Sequence, residues 1–570
     1  MVSATTSEAA GATTIPHGET GIRGLLRQPY ILFMAVFASI GGMLFGYDQG
    51  VISGVLVMNN FGKQFPLLAS NSTLQGWMVA VLTLGAMVGA LANGPIADRL
   101  SRRWSILLAN GIFLVGSIIQ AAAKNIAMIF VGRFIAGLAI GGLSMVIPLY
   151  ISELAPTNVR GSLVSLQQLS ITFGIMIAFW IDYGTQHIGG TGDNQSPIAW
   201  RLPLALQCIP SLVLSVGTLF LPYSPRWLLL KDREEEAEAT LLRIRRVPDT
   251  DPCIRLELLE IKAAVQFDRE TASVLYPHAT TPLQVTIERY KSLITVRHLN
   301  RRLLIACLMQ FIQQFTGINA IIYYAPTIFK NIGMTGESVD LLATGVVGII
   351  DFVFTIPAIL FMDQWGRKKV LIVGGIGMSI SQILVATIYA VYNGSWESHP
   401  AAGWACAAFV WAYIANFAFS IGCVNWIIPS EIFPPGVRSQ AVGLAIGTNW
   451  LSNFIVALIY PRMLAAIKYG TFYFFLGGAY LLCIAHFQWM KNLLANVAFC
   501  LFLIGWVYFF VPETRGVGIE EMDKLFGGNQ GEVDMIRMAN IRRRVGITPD
   551  GPEDSDVKDL DIGISQIEHV

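Results

Sequence analysis

The sequence predicts an all-α membrane protein built from two halves of six transmembrane helices each. The first observation is its composition: 54% of the 570 residues are apolar, only 14% are charged, and the mean hydropathy is +0.56. These values are typical of an integral membrane protein and not of a soluble enzyme. The second observation is a series of apolar runs, each long enough to cross roughly 30 Å of hydrocarbon. The third is a set of charged motifs that occurs once in each half, in the same order.

The apolar runs fall into two groups that are separated by a charged segment. The runs of the first group lie near 31–56, 74–97, 104–123, 126–150, 164–184 and 201–222. Those of the second lie near 302–329, 339–362, 369–392, 404–429, 438–463 and 470–511. We therefore expect a tail over 1–30, a six-helix bundle over 31–222, a linker with short helices over 223–300, a second six-helix bundle over 301–515 and a tail over 516–570.

The distribution of basic residues predicts the orientation in the membrane. The linker is rich in Lys and Arg, whereas the loops expected on the other face, 57–73, 185–200 and 393–403, contain only Lys63 between them. By the positive-inside rule, the linker and both termini are cytoplasmic. Residues 1–28 lack the apolar core of a signal peptide, so the first span is expected to act as the targeting element.

Glycosylation sequons give an independent indication of the same topology. The N-x-S/T triplets begin at Asn71, Asn194 and Asn393, and each falls in a loop already assigned to the outside.

The remaining composition argues against several other functions. A net charge of +1 gives no indication of nucleic-acid binding, and the seven cysteines lie mostly in apolar runs without paired spacing, so neither a disulfide framework nor a metal site is expected. The seven histidines are scattered, and no Ser/His, Cys/His or metal-spaced cluster is present. We expect no enzyme activity and no cofactor.

The repeated charged motifs support a duplicated bundle. The segment Asp98-Arg-Leu-Ser-Arg-Arg103 returns as Asp363-Gln-Trp-Gly-Arg-Lys368, and a Glu followed seven residues later by an Arg occurs in each half. Such carboxylates and guanidiniums at cytoplasmic helix ends can form pairs that latch the bundles together and later release, although they could also serve only to set the topology. The residues assigned to this latch are Asp98, Arg99, Arg102, Glu153, Arg160, Arg226, Asp363, Arg367, Glu431, Arg438 and Arg515.

The stretch from Gln310 to Pro326, QFIQQFTGINAIIYYAP, carries polar groups that lipid would penalise. Gln310, Gln313 and Gln314 share one helix face, and Tyr324 returns to it. Asn319 joins them only if the helix loosens, which Gly317 and Pro326 permit. Uncharged amides and phenols suit a neutral polyhydroxylated ligand, while the alternative is that they bond neighbouring helices.

This stretch resembles the seventh-helix signature of the sugar porters of the major facilitator superfamily. The resemblance extends over about residues 30–520 and implies the fold of that superfamily, with twelve transmembrane helices in two pseudo-symmetric bundles. Ser101 and Tyr223 depart from the family pattern, which usually has Gly and Glu at these positions.

The resemblance also implies further sugar-binding residues. Gln168 matches a fifth-helix glutamine, Trp426 a tenth-helix tryptophan that packs against the sugar ring, and Asn449 an eleventh-helix amide. Asp351 stands where the family commonly has a sugar-facing Asn. This acid could donate when protonated, discriminate among sugars or titrate, or it could be a structural acid facing the cavity.

Asp48 and Arg133 lie inside the first and fourth spans, where ionisable groups are costly and usually pair. They resemble the aspartate and arginine of proton-coupled sugar porters, in which the acid takes up a proton when the influence of the arginine weakens. The alternative is a static ion pair.

Together these features predict an alternating-access carrier of a monosaccharide, a hexose or pentose, that uses protons at a plasma membrane. The expected partners are the sugar, H⁺ and the lipid bilayer, and the carrier is expected to work as a monomer. The alternatives are a facilitative uniporter, a permease for quinate, a polyol or a disaccharide, and a non-transporting sugar sensor.

The last apolar run, 470–511, is about twice as long as one span and has polar residues in its middle. Two spans there would place the following basic residues outside, against the positive-inside rule. Removing residues 478–497 leaves a single span, and the removed length keeps the reading frame. We therefore predict that 478–497 is retained intron sequence, with a genuine insertion as the alternative.

Sequencing the mature transcript should show a message without this segment; an intact segment in a transporting protein would contradict the prediction.

Overall fold

The computed structural model describes residues 28–156, 159–190, 192–246, 252–279, 281–332, 334, 339–392, 395–467, 503–508, 511 and 530–547. Within these residues the chain is almost entirely helical. The positions of Arg515 and Asn393 and the segment 478–497 lie outside the described residues, so the predictions made for them stay predictions.

The first half contains six spans. The first span is α1 with α2, the sixth is α9 with α10, and α3 and α4 are short helices in the loop after the first span. The helices are α1 (Pro29–Ala38), α2 (Ile40–Val55), α3 (Asn59–Gln64), α4 (Pro66–Ser70), α5 (Ser72–Leu100), α6 (Arg102–Ala121), α7 (Ile126–Leu154), α8 (Arg160–Thr185), α9 (Ile198–Leu206) and α10 (Cys208–Thr218).

Four linker helices follow, and then five further spans in the described part of the second half. The seventh span is α15 with α16, and the tenth is α19 with α20. The helices are α11 (Pro225–Leu230), α12 (Glu234–Arg245), α13 (Pro252–Leu275), α14 (Pro282–Thr295), α15 (Arg297–Phe315), α16 (Ile318–Asn331), α17 (Val339–Trp365), α18 (Arg367–Tyr392), α19 (Pro400–Phe419), α20 (Ile421–Ile432), α21 (Arg438–Ile467) and α22 (Gln530–Arg544).

Eleven helices among the described residues are long and apolar enough to span a membrane. They match the first eleven apolar runs of the sequence, with ends that differ by a few residues. We call the membrane face that carries α11 to α14 the linker face, and the opposite one, which carries α3 and α4, the loop face.

Spans within a bundle approach each other closely because small residues lie at their contacts. A Cβ added at Gly89 of α5 would overlap the carbonyl oxygen of Leu138 on α7, and one added at Gly141 of α7 would overlap the carbonyl oxygen of Ala86. Lipid supplies little hydrophobic drive for helix association, so such close backbone contact is a main source of packing energy.

The two bundles meet along two pairs of spans. The α5 helix packs along α21, and α8 packs along α17. On the loop face, Arg462 Nε of α21 donates to Thr73 Oγ1 of α5 at 2.7 Å. Any ligand held between the bundles is therefore enclosed laterally by these four helices.

The last described helix, α22, docks on the linker helix α13. Ile541 and Ile547 pack with Ala263 and Phe267 in a small apolar cluster. Two ion pairs flank this cluster: Arg542 with Glu260 at 3.0 Å, and Arg544 with Glu270 at 2.8 Å. The chain beyond the second bundle is thus attached to the segment that follows the first.

Ser101, the serine that stands where the sugar porters usually have glycine, lies in the turn between α5 and α6. Ser101 has φ 95° and ψ 159°, a region that is almost restricted to glycine, while its Oγ accepts from the Trp104 N–H at 3.4 Å. The equivalent position in the second half is Gly366, with φ 83°. The repeat therefore keeps a turn that favours glycine but places a strained serine in its first copy.

We expect Ser101→Gly to stabilise the protein by about 1 kcal/mol, because relief of about 1–3 kcal/mol of backbone strain exceeds the few tenths lost when a capping serine becomes glycine. The reciprocal change Gly366→Ser should destabilise it. The measurement is thermal unfolding of the two variants and the parent in the same detergent. Equal midpoints for all three proteins would contradict the strain at Ser101.

Candidate functional site

The site is organised by the break in the seventh span. Gly317 has φ 91° and separates α15 from α16, and Tyr324 has non-helical angles (φ −124°, ψ 19°) two residues before Pro326. The carbonyl oxygen of Thr316, released at the break, accepts from Tyr413 Oη at 2.9 Å and from Gln382 Nε2 at 3.3 Å. Neighbouring spans thus satisfy the polar backbone that the break exposes, as a membrane requires.

Around this break six amide side chains form one cluster, which we call the amide cluster. Its members are Gln310, Gln313, Gln314, Asn319, Asn425 and Asn449. All six are buried, and they come from the seventh, tenth and eleventh spans.

Asn449 lies at the centre of the amide cluster. Its Nδ2 donates to Gln310 Oε1 at 2.7 Å and to Gln313 Oε1 at 2.9 Å, and its Oδ1 accepts from Gln314 Nε2 at 3.2 Å. Asn319 Nδ2 donates in turn to Gln314 Oε1 at 2.6 Å. The break at Gly317 is what allows Asn319 to reach Gln314, because an unbroken helix would separate their side chains.

Asn425 is a member that the sequence reasoning did not include. Its Nδ2 donates to Gln310 Oε1 at 2.6 Å and also to Gln313 Oε1, while its carbonyl oxygen accepts from Gln310 Nε2 at 3.0 Å. The sequence feature that could have identified Asn425 is that it is an uncharged amide in an apolar helix, directly before Trp426. Trp426 is half-buried on α20, the helix that packs against α8, where Gln168 lies buried.

The first span contributes Gln49, another residue that the sequence reasoning did not single out. Gln49 Nε2 donates to Tyr323 Oη at 3.0 Å and lies 3.5 Å from Asn319 Oδ1, so it connects the first bundle to the amide cluster. Its position directly after Asp48 was a signal, but its partners lie some 270 residues away in the chain.

Tyr324 does not join the amide cluster in this conformation. Its hydroxyl donates to the carbonyl oxygen of Ala457 at 3.2 Å, and its ring stacks on Tyr460. The kink at Tyr324 turns the side chain away from the face that Gln310 and Gln313 share, and Tyr323 takes the place facing the first bundle.

Asp48 and Arg133 lie together in the first bundle. Both side chains are fully buried, and Arg133 Nη1 lies 3.8 Å from Asp48 Oδ2. Arg133 Nε donates to the Met78 carbonyl oxygen at 2.7 Å, but neither Asp48 oxygen has a hydrogen-bond partner. The pair is therefore held by charge attraction at a distance greater than that of a good hydrogen bond.

Two other acids are buried in the spans. Asp351 on α17 is 2% exposed and has an unpartnered Oδ1. Asp182 on α8, which the sequence reasoning missed, is fully buried against Gly54 of α2, and neither of its carboxyl oxygens has a hydrogen-bond partner. Its signal in the sequence was an acid inside the fifth apolar run.

The charged motifs form equivalent pairs in the two halves. Arg102 Nη2 lies 2.9 Å from Glu153 Oε1 in the first bundle, and Arg367 Nη2 lies 2.8 Å from Glu431 Oε1 in the second. Asp98 also contacts Arg102, at 3.0 Å. These pairs join spans of the same bundle at the linker face.

The other members of the predicted latch are distributed around these pairs. Arg160 is among the linker-face charges near Arg226, Arg226 pairs with Asp268 at 2.6 Å, and Arg99 is exposed. Arg438 donates to the carbonyl oxygen of Phe433 at 3.2 and 3.1 Å. Asp363 lies on α17 near the linker face.

The chemistry of the site is that of uncharged hydrogen-bonding groups. The amide cluster offers both donors and acceptors, Trp426 offers an aromatic face, and the charged pair lies in the neighbouring bundle. Among the described residues no group of His, Cys, Asp and Glu side chains could hold a metal ion. Binding of a neutral polar molecule therefore fits the site better than bond-breaking chemistry.

Comparison with known proteins identifies the family. The family model described as "Sugar (and other) transporter" matches residues 34–526. Two relatives are each 35% identical: the major facilitator-type transporter ecdD of Aspergillus rugulosus, over 89% of this chain and 88% of its own, and the glucose transporter GlcP of Staphylococcus epidermidis, over 87% and 96%.

A solved structure agrees with these relatives. The proton:xylose symporter XylE, bound to 6-bromo-6-deoxy-D-glucose, superimposes with a TM-score of 0.69 at 29% identity and covers 87% of this chain and 99% of its own. The chain is therefore a multi-pass membrane protein with the fold of the major facilitator superfamily, and it belongs to the sugar transporter family.

Proposed function

We propose that this protein carries a monosaccharide across the membrane by alternating access and couples that movement to protons. The observation that carries the proposal is the amide cluster, in which six buried, uncharged side chains from three spans converge beside the interface between the bundles. Sugar hydroxyls both donate and accept, so amides can hold them without the cost of burying a charge.

Sugar binding at this site is an exchange of hydrogen-bond partners. The amides are now bonded to one another, so an arriving sugar replaces amide–amide bonds with amide–hydroxyl bonds. The net gain per bond is modest, and shape and the stacking of Trp426 add to it. Gln168 on α8 and Gln49 on α2 are the proposed polar contacts from the first bundle, so the proposed sugar position is between the two halves.

Contacts between the bundles at two levels support alternating access. Nearer the loop face, Gln49 of α2 bonds to Tyr323 of α16. One turn nearer the linker face on α2, Phe45 packs edge-on against Trp450 with ring centroids 4.9 Å apart. Trp450 Nε1 also donates to Ser144 Oγ of α7 at 3.2 Å. Opening either level alone would expose the amide cluster to one side of the membrane.

Proton coupling is supported by the Asp48–Arg133 pair. A carboxyl without hydrogen bonds depends on the arginine to favour its ionised form, while burial favours the neutral form. A movement of α2 relative to α7 that lengthens the 3.8 Å separation would therefore favour protonation of Asp48. The structural similarity to XylE, a proton:xylose symporter, supports this proposal.

We further propose that the linker face is cytoplasmic and that the protein works as a monomer in the plasma membrane, glycosylated at Asn71, Asn194 and Asn393. The scarcity of basic residues in the loop-face segments supports this orientation. The matching pairs Arg102–Glu153 and Arg367–Glu431 each join spans of one bundle at the linker face, which lets each bundle move there as a unit.

Two alternatives within transport remain distinct hypotheses. A facilitative carrier would use the same amides without moving protons, and the "other" in the family description leaves room for a permease of a different polar metabolite. A sugar sensor would bind without transporting. Asp351 has an unpartnered oxygen near the tenth span and is a candidate for discriminating among substrates. Uptake measured with a panel of substrates that includes D-glucose, D-xylose, quinate and a polyol separates a sugar carrier from a permease of another metabolite.

We expect Asn449→Ala and Asn319→Ala to reduce uptake of D-glucose or D-xylose at least tenfold. Each removes hydrogen bonds worth about 0.5–1.5 kcal/mol and leaves buried amides unpaired, at a further cost. Uptake is measured in yeast lacking its own hexose carriers, with surface expression quantified. The matched control is Gln207→Ala, which removes a fully buried amide of the sixth span whose side-chain atoms have no hydrogen-bond partner. Normal uptake by both cluster variants would refute the sugar-binding assignment.

We expect Asp48→Asn to retain sugar exchange but to lose accumulation against a gradient. The amide mimics the neutral acid and cannot titrate, so the carrier can still move sugar but no longer a proton with it. The measurement compares the steady-state sugar ratio across the membrane in parent and variant, with and without an uncoupler. If the parent does not accumulate sugar and the uncoupler leaves its uptake unchanged, the protein is a facilitator.

A further inference from the structure

Aromatic rings and cations gather at the linker face, where α6 begins and where the chain leaves α10. The guanidinium carbon of Arg103 lies 5.6 Å from the ring centroid of Trp104 and 5.4 Å from that of Tyr223. Trp104 Nε1 donates to Tyr223 Oη at 3.1 Å, and the Tyr223 ring stacks on that of Trp227. Two further cations lie over these rings. We call the whole group the aromatic–basic cluster; its members are Arg103, Trp104, Tyr223, Trp227, Lys231 and Arg233.

The cations of this cluster are only partly neutralised. Arg233 pairs with Glu236 at 2.6 Å, whereas Arg103 and Lys231 form no ion pair with any residue that the structure describes. Within the same residues Arg103 makes one hydrogen bond, from Nη2 to the carbonyl oxygen of Leu219. A guanidinium has five N–H donors, so Arg103 has donors left for an anion.

The neighbouring acids do not supply the missing negative charge. Asp98, whose carbonyl oxygen accepts from an indole of the cluster, and Asp232 each contact an arginine outside the cluster, at 3.0 and 2.8 Å. Tyr223 stands where the sugar porters usually have glutamate, so a ring and not a carboxylate lies beside Arg103. The cluster therefore carries a net positive charge.

The cluster adjoins the surface of the first bundle that faces lipid. Phe220, just beyond the end of α10, is 72% exposed, and Val216 of α10 and Leu108 of α6 are also exposed. The helices α6 and α10 pack against each other, so these apolar side chains belong to one surface. Trp104, at the end of that surface, is 43% exposed. Tryptophan and tyrosine rings are typical of the headgroup level of a membrane.

We propose that the aromatic–basic cluster binds the phosphate headgroup of an anionic phospholipid from the leaflet at the linker face. The planar guanidinium of Arg103 matches two phosphate oxygens, and Lys231 adds a second positive charge. The acyl chains would lie along the exposed apolar side chains of α6 and α10. This apolar surface favours a lipid over a free phosphate ion, and the unpaired cations favour an anionic lipid over one that carries its own cation. The proposal depends neither on the transported substrate nor on proton coupling.

We expect dioleoyl phosphatidylserine to bind the full chain in detergent more tightly than dioleoyl phosphatidylcholine. Arg103→Gln should weaken phosphatidylserine binding about fivefold, the effect of one basic residue near an anionic surface, and leave phosphatidylcholine binding unchanged. Tyr223→Glu should weaken it at least as much, because a carboxylate beside Arg103 offsets that charge and repels an anionic headgroup. Native mass spectrometry measures the bound fraction as each lipid is added.

Lys231→Gln is a second test that removes an exposed cation and disturbs no buried contact, and it should also weaken phosphatidylserine binding about fivefold. Arg243→Gln is the matched control, because it removes the same charge from an exposed position of α12 outside the cluster, and its binding should equal the parent's.

Three results would overturn the proposal. The first is equal binding of the two lipids by the parent. The second is a loss in Arg243→Gln as large as that in Arg103→Gln and Lys231→Gln, because net charge alone would then explain the preference. The third is displacement of phosphatidylserine by inorganic phosphate more effectively than by chloride at the same ionic strength, which would assign the cluster to a free anion.

Discussion

The requirement that every polar group in a membrane find a partner organises this protein, and the break at Gly317 is where that requirement is most demanding. The break releases the Thr316 carbonyl group, and Tyr413 and Gln382 satisfy it from two other spans. The same break turns Asn319 toward Gln314 and creates the amide cluster. A local loss of helix is thus tolerated because two neighbouring spans provide the missing hydrogen bonds.

The buried acids obey the same requirement less completely than the amides. In the second bundle the amides bond to one another, but Asp351 has an oxygen without a hydrogen-bond partner. In the first, Asp48 and Asp182 are fully buried with no hydrogen bond to their oxygens, and only Asp48 has a cation close by among the residues described. Such groups cost stability that uncharged side chains of similar size would not cost. The proposed coupling role of Asp48 gives one such buried charge a function that offsets this cost.

Much of the fold could be predicted from the sequence, because spans depend on local properties. Apolar length located eleven spans to within a few residues. The repeated motifs predicted equivalent charged groups at the ends of the spans in both halves, but the pairs Arg102–Glu153 and Arg367–Glu431 each lie within one bundle and not between the bundles. The site was less accessible to prediction. Gln310, Gln313 and Gln314 were visible from helix periodicity, but Gln49 and Asn425 act through partners more than a hundred residues distant. Tyr323, and not Tyr324, faces the first bundle because the helix kinks at Tyr324, and the spacing of residues in the sequence does not specify the angle of that kink.

The self-satisfied amide cluster also has a kinetic consequence. A carrier completes its cycle only if its empty form can reorient, and an empty site with unpaired buried amides would resist closing. Here Asn449, Gln310, Gln313 and Gln314 bond to one another, so closing the unloaded molecule leaves few buried amide groups of the cluster without a partner. The return of the empty carrier is therefore not expected to limit turnover, and sugar on the far side of the membrane should accelerate uptake only weakly.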